Sequence, residues 1–261
     1  MKKLINKPAD VVRESLEGMA AAHPDQIKLN FEPIFVYRAD APVKGKVAVI
    51  SGGGSGHEPT HVGFVGAGML DAACPGDVFV SPTTEQIIEA IRMVHGGAGV
   101  LNVVKCYWDD MDVFAEAAEL AHAEGIPVAN ILIDDDVAVS DSVYSHGRRG
   151  TGTTVLAEKI CGAGAELGYD LPELADLCRR VNLNGRSMGV AFSPSTIPIK
   201  GTPSFEIGGN EMEVGIGIHG EPGRERMSLK TADEITEMLA LEIIDDPAYE
   251  RTVREFDSGK G

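Results

Sequence analysis

The apolar positions change period several times along the 261-residue chain. Between residues 8 and 22, Val11, Val12, Leu16 and Met19 recur on one face at helical spacing. His23-Pro24 closes that run, because the residue before a proline is pushed out of the helical region. Short β-rich runs follow at residues 34–37 (IFVY), 46–50 (KVAVI), 100–105 (VLNVVK) and 127–133 (PVANILI). Helical spacing returns at residues 84–94, 112–123, 153–166 and 172–181. Strand and helix alternate, which predicts parallel strands joined by crossover helices. The fold class expected is α/β, an open and mostly parallel sheet with flanking helices.

The texture changes after about Asn184. Residues 187–192 are strand-like, and then Pro194, Pro198, Gly201 and Pro203 break the chain. Residues 205–207 and 212–218 alternate like antiparallel strands, and residues 230–244 form an amphipathic helix opening after Ser228. Two units are expected: an α/β unit over 1–184 and a smaller α+β unit over 185–261. Residues 253–261 (VREFDSGKG) carry no terminal element, and the second unit is small for an independent core. It is therefore expected to be incomplete at its C-terminal side.

Composition narrows the function classes. Aromatic residues are 5% of the chain, with Trp108 the single tryptophan, which argues against platforms for stacked bases. The formal net charge of -17 repels nucleic acid and anionic membranes, so neither is an expected partner. The N-terminus, MKKLINKPAD, is basic but has no apolar run behind it, so it does not read as a signal peptide. No stretch approaches the roughly 20 apolar residues of a membrane span. Cys74, Cys106, Cys161 and Cys178 make no C-x-x-C pair, which suggests neither zinc nor a dithiol motif, and scattered thiols fit the cytoplasm.

Four stretches could carry chemistry. Gly52-Gly53-Gly54-Ser55-Gly56-His57 follows a strand and reads as a glycine-rich turn at the ligand edge of the sheet. Glycines would let backbone N–H groups close on a ligand oxygen, but no Gly-Lys-Ser/Thr follows, so it is not a P-loop. Lys105 ends a strand, and Asp109, Asp110 and Asp112 come just after it. These aspartates could accept a hydroxyl proton or simply favour the start of the next helix. Asp134-Asp135-Asp136 could be a metal site, a solvated turn or a contact loop. His219 stands between glycines in GIHGEPG and reads equally as a loop residue or a site residue. His57 and His219 share a form: a glycine-rich strand exit, then His and a Glu-Pro pair. Two such histidines could act on one small polar substrate, one as base and one as nucleophile or electrostatic stabiliser. His23, His95, His122 and His146 read as loop or helix-surface residues. His61 could share a helix face with His57, but Pro59 interrupts the H-E-P-T-H run and excludes a zinc-hydrolase helix.

Taken together and in order, these stretches resemble the dihydroxyacetone kinase family. The resemblance is carried by Leu4-Ile5-Asn6, SGGGSGHEP at 51–59, DDDVAV at 134–139, Gly147-Arg148-Arg149-Gly150 and GIHGEPG at 217–223. It implies the substrate-binding subunit of a phosphotransferase with an alcohol group as acceptor. The histidine matching His219 would capture the carbonyl of a short ketose as a hemiaminal. Gly54, Ser55, Gly56, His57 and Lys105 would line the substrate, and His57 and Asp110 would flank the hydroxyl that receives phosphate. The resemblance places ATP or ADP with Mg on a separate helical, L-type subunit, with no cofactor and no metal on this chain. It further implies a homodimer and, in some members, a phosphoryl donor from the phosphotransferase system. Some paralogues bind the ketose without catalysis and act as regulators; the presence of both His57 and Asp110 favours the enzyme.

Overall fold

The computed structural model describes residues 2–140, 142–145 and 147–247. A helix, α1 (Val11–Ala22), leads into a hairpin of β1 (Ile27–Phe31) and β2 (Ile34–Arg38). Then come β3 (Ala48–Ser55), β4 (Ala72–Val78), α2 (Thr84–Val94), β5 (Val100–Lys105), α3 (Trp108–Ala123) and β6 (Val128–Ile133). Two helices, α4 (Thr153–Glu166) and α5 (Leu171–Asn184), complete this part. The six strands form one sheet in the order β1-β2-β4-β3-β5-β6. From β4 to β6 the pairing is parallel, and the hairpin joins antiparallel through β2. The fold class is therefore α/β with an open, mostly parallel sheet, as the alternation predicts.

Successive strand residues serve opposite faces. Val47, Val49, Leu101 and Val103 pack with Leu16 of α1, Ala157 and Cys161 of α4, and Leu174 and Cys178 of α5. Their neighbours Ala48, Ile50, Val100 and Val104 pack with Ile87, Ile91 and Val94 of α2 and Phe114 and Ala117 of α3. Both faces are buried, which is why these strands read as continuous apolar runs rather than alternating ones. The helix α2 starts where a capping box sets it: Thr83 accepts from the Gln86 N–H, and Gln86 accepts from the Thr83 N–H.

Three expectations change here. The run 52–55 is not a turn but the second half of β3. Residues 72–78 form a central strand that Pro75-Gly76 conceals, since proline and glycine ordinarily mark breaks. The helix expected from residue 112 begins at Trp108, which puts Asp109 and Asp110 in its first turn.

Beyond α5 lie β7 (Val190–Ala191), β8 (Glu211–Val214), β9 (Glu225–Ser228) and α6 (Ala232–Ile244). The three strands form an antiparallel sheet in that order. Met212, Val214 and Ile235 form its core, with Met188, Val190, Met227, Met238 and Leu239 packed around them. Residues 205–207 form no strand, and β8 ends at Val214, because Gly215 takes a positive φ of 75° and turns the chain. The helix α6 opens at Thr231, which makes its own capping box with Glu234, and not at Ser228, which belongs to β9. Residues 253–261 lie outside the described residues.

Candidate functional site

The site forms where β3 and β5 end. The glycines of β3 are needed for close packing around it. A Cβ on Gly52 would lie 2.6 Å from the Cys74 carbonyl oxygen, one on Gly53 2.5 Å from Lys105 Nζ, and one on Gly54 2.7 Å from the Val80 backbone nitrogen. The run thus lets the strand lie against its own protein; it is no open phosphate cradle. The turn begins only at Gly56, whose φ is +103° and whose Cβ would strike the Phe79 ring.

His57 follows directly, and its ring stacks on Phe79 at 4.9 Å between centroids. Its Nε2 is buried and has no hydrogen-bond partner among the described residues. Burial, reinforced by Lys105 and His219, pushes its pKa down to about 3, so the ring is neutral at pH 7. His219 packs edge-on against His57 at 4.8 Å and against Tyr107 at 4.8 Å. Two histidines 162 residues apart in sequence are thereby brought into ring contact.

Glu221 holds His219 in place. Its Oε2 accepts the His219 backbone N–H at 2.9 Å, and its Oε1 lies 3.0 Å from His219 Nδ1. Burial would raise the Glu221 carboxyl, but its bonds with His219 outweigh that and hold it below the usual carboxylate range. An ionised Glu221 can only accept, so Nδ1 carries a proton, and in the neutral ring the lone pair lies on Nε2.

Asp110 completes the cavity wall. It is 2% exposed and accepts from the Ser81 hydroxyl. Burial raises its pKa, with Lys105 and the Ser81 bond acting in the opposite direction. The cavity has a volume of about 400 Å³, and Gly54, Ser81, Tyr107, Asp110, His219 and Glu221 line it. Lys105 is 2% exposed and sits behind β3 rather than on the cavity wall. Ser55 and Gly56 face a neighbouring groove of about 530 Å³, and the Ser55 hydroxyl is taken up by the Gly76 carbonyl at 2.7 Å. Of the residues expected to line the substrate, Gly54 and Asp110 lie on this cavity, while Ser55 and Gly56 lie on the adjoining groove and Lys105 lies beneath β3.

The aspartate run is a contact loop. Asp135 accepts the N–H groups of Thr151 at 2.6 Å and Thr153 at 2.8 Å. Asp136 pairs with the buried Arg149, whose Nη2 donates to the Gly215 carbonyl at 2.7 Å. That chain of bonds ties the turn bearing His219 to the large sheet. Among the described residues no group of three or more His, Cys, Asp or Glu side chains could hold a metal ion.

Sequence reasoning passed over several members of the site. Ser81, Phe79 and Tyr107 carry no local signal. Glu221 had one: a carboxylate two residues beyond a histidine, with glycine between. His61, set aside earlier, is 4% exposed and no helix joins it to His57. Its Nδ1 lies 2.5 Å from Glu158 Oε1, and its Nε2 lies 2.7 Å from Lys105 Nζ. His146 lies outside the described residues.

A small polar cavity at the carboxyl ends of parallel strands, walled by an oriented imidazole and a buried carboxylate, defines an α/β protein built to hold a small polar molecule. The chain belongs to the dihydroxyacetone kinase family, for the Dak1 domain matches residues 17–257. It is 49% identical over its full 261 residues, and over 73% of the relative, to the dihydroxyacetone-binding subunit DhaK of the PEP-dependent dihydroxyacetone kinase of Escherichia coli strain K12. The dihydroxyacetone kinase from C. freundii, solved in complex with AMP-PNP and Mg2+, superposes with a TM-score of 0.87 at 36% identity. That match covers 94% of this chain and 46% of the kinase. The dihydroxyacetone kinase operon co-activator Dha-DhaQ superposes at 0.84 with 35% identity, covering 91% of this chain and 72% of the co-activator. The chain thus spans about three quarters of the E. coli subunit and under half of the C. freundii enzyme.

Proposed function

We propose that this chain is the substrate-binding subunit of a kinase that phosphorylates dihydroxyacetone or a similar short ketose. The single observation that carries this reading is the bond between Glu221 and His219 Nδ1. It leaves the Nε2 lone pair free to add to a carbonyl carbon. The carbonyl π pair moves to oxygen, which takes a proton from water in the cavity, while the Nδ1 proton passes to the Glu221 carboxylate, so the alkylated ring ends neutral. The product is a hemiaminal, and a polyol with no carbonyl cannot form it. Capture fixes a small substrate, so its terminal hydroxyl is held in place for in-line phosphoryl transfer. The hydroxyl proton passes to Asp110 or to the neutral His57, both beside His219.

The glycine-rich run does not fit a nucleotide's phosphates. The β3 glycines are packed against protein atoms, and the chain is strongly acidic. In this reading ATP or ADP with Mg sits on a separate helical, L-type subunit that docks over the cavity. The name of the E. coli relative, PEP-dependent, favours a nucleotide recharged through the phosphotransferase system. No helix of the described residues is long and apolar enough to cross a membrane, and we place the chain in the cytoplasm as a homodimer.

The test is carbon NMR with dihydroxyacetone labelled with 13C at its carbonyl. The carbonyl resonance should move to the tetrahedral-carbon region when the chain is added, and His219→Ala should abolish the change. A carbonyl signal that stays put with the wild-type chain would sink the capture mechanism. A second reading, a non-catalytic ketose-binding regulator, draws on the likeness to the co-activator. The presence of both His57 and Asp110 favours the enzyme. Ketose capture without turnover, in the presence of the helical subunit and ATP, would favour the regulator.

A further inference from the structure

Among the described residues, Phe79 is the one residue other than glycine whose φ is positive, at 61°. A left-handed backbone is uncommon at a bulky side chain and carries strain, which proteins keep chiefly where it serves a site. Phe79 directly follows β4, beside the exit of β3. Its N–H donates to the Ser55 carbonyl at 2.8 Å, and the next N–H, of Val80, donates to the Asp77 carbonyl at 3.0 Å. Three glycines leave room for this turn. A Cβ on Gly54 would lie 2.8 Å from the Phe79 Cα, one on Gly56 2.6 Å from the Phe79 ring, and one on Gly76 2.0 Å from the Val80 carbonyl oxygen. Glycine at 79 would make the turn without strain, so the phenyl ring calls for a reason.

The ring contacts supply it. Phe79 stacks on His57 at 4.9 Å with 17° between the planes, and it meets His219 edge-on at 5.5 Å. His57 and His219 in turn meet at 4.8 Å and 66°. The three rings thus touch pairwise, although they come from the ends of β3 and β4 and from the turn beyond β8. His219 has a second hold in its bonds with Glu221. His57 Nε2 has no hydrogen-bond partner among the described residues, so at that nitrogen only ring contact fixes the imidazole. We propose that Phe79 is a positioning residue: a strained turn holds its ring so that the His57 imidazole stands against His219, facing the hydroxyl that receives phosphate. Phe79 borders both the cavity and the neighbouring groove. Without its ring, His57 opens towards the groove and is free to turn.

This inference rests on the reading of His57 as a partner of the substrate hydroxyl, but one readout needs no substrate. In the free chain, nuclear Overhauser effects between the ring protons of His57 and His219 report their contact. They should be lost in Phe79→Ala and Phe79→Gly and kept in Phe79→Tyr, which retains the ring. With the helical subunit, ATP and dihydroxyacetone, kcat should fall on the order of 100-fold in the alanine and glycine variants, the size expected from a misplacement of about 1 Å at a reacting centre. Phe79→Tyr should stay near wild type. Capture, read from the labelled carbonyl, should change far less than kcat, because Glu221 still holds His219. A merely structural role would not separate the two. Urea unfolding reads the strain: glycine is ordinarily less stabilising than alanine, and at a positive φ the order reverses. Alanine the more stable of the two overturns the strained turn. A folded alanine or glycine variant that keeps the ring-to-ring effects or the wild-type kcat overturns the positioning role. If neither variant folds by near-ultraviolet circular dichroism, Phe79 is a structural residue and the proposal is likewise overturned. A wild-type chain that neither captures ketose nor turns over strikes only the reading of function, and the ring-to-ring effects still decide.

Discussion

His57 and His219 stand in nearly the same sequence, GHEP at 56–59 and HGEP at 219–222, yet they are built differently. In the first, glutamate follows histidine at once. Neighbouring side chains diverge, and the Glu58 carboxylate turns back to the Gly56 N–H at 3.1 Å. His57 is left with a neutral ring and an unsatisfied Nε2. In the second, one glycine is inserted, and the Glu221 carboxylate reaches both the backbone and the ring of His219. One residue of spacing separates a neutral imidazole whose Nε2 has no hydrogen-bond partner among the described residues from an imidazole oriented by a carboxylate, and the division of roles proposed above rests on that difference. The supports differ too. His57 extends from an eight-residue strand buried along its length, whereas His219 stands in a turn beyond a four-residue strand with a small core.

If that difference in support is real, the second histidine should depend on the bonds that tie its turn to the large sheet. Arg149→Met should have the largest effect. It leaves Asp136, 2% exposed, without its partner, and it removes the donor to the Gly215 carbonyl. Removing one member of a buried ion pair costs about 3–5 kcal/mol. Urea unfolding should register that loss, and the folded variant should no longer shift the carbonyl resonance of labelled ketose. Adding Asp136→Asn should recover part of the stability but not the capture. Full capture by Arg149→Met would mean that the turn holds its shape unaided.

The same contrast explains what could be read from the chain alone. Strand β5 and helix α2 were legible because their signal is local: a run of β-branched residues, and isoleucines at helical spacing. Strand β4 was not, because its Pro75-Gly76 pair imitates a break while the sheet supplies the pairing from both sides. The glycines of β3 were legible as a special place but not as a strand, since their reason is the approach of Cys74, Lys105 and Val80. His57 and His219 stood out by motif, and Asp110 only through the family resemblance. Their neighbours Ser81, Tyr107, His61 and Glu158 did not, since each owes its place to a residue distant in sequence, as Ser81 with Asp110, Tyr107 with His219 and His61 with Glu158 illustrate.

A smaller effect tests the neutral state of His57. Its pKa is about 3 in the folded chain, against about 6.5 for a free histidine. Between those values the unfolded chain binds the extra proton, so stability contributed by His57 is present above pH 6.5 and is lost as pH falls toward 3. Glu158 and Lys105 also titrate abnormally, so the effect of His57 is isolated by difference. The stability gap between wild type and His57→Gln should narrow by about 2 kcal/mol from pH 7 to pH 5. A gap independent of pH would mean that folding leaves the His57 pKa where a free histidine has it.

The smallest effect asks whether the two histidines belong to separately stable units, as the proposed division near residue 185 requires. Each part carries a helix opened by the same device. Thr83 accepts from the Gln86 N–H at 3.2 Å and Thr231 from the Glu234 N–H at 3.4 Å. Replacing either threonine by alanine removes one capping bond at an exposed position, at a cost of about 1 kcal/mol. In one cooperative unit both changes lower the same transition by similar amounts. In two units, Thr231→Ala lowers only the weaker transition, that of the small core of Met212, Val214 and Ile235. Hydrogen exchange separates the cases: amide protons of α6 should lose protection in Thr231→Ala while those of β5 keep theirs, and Thr83→Ala should do the reverse. We expect two units, because the second has its own apolar cluster, and the ties to the first are the bonds of Arg149 with the Gly215 carbonyl and Arg148 with Asp246, a few backbone bonds and the ring contacts of His219. Equal loss of protection at α6 and β5 in both variants would refute that expectation. It would also mean that the turn carrying His219 shares the full stability of the sheet carrying His57.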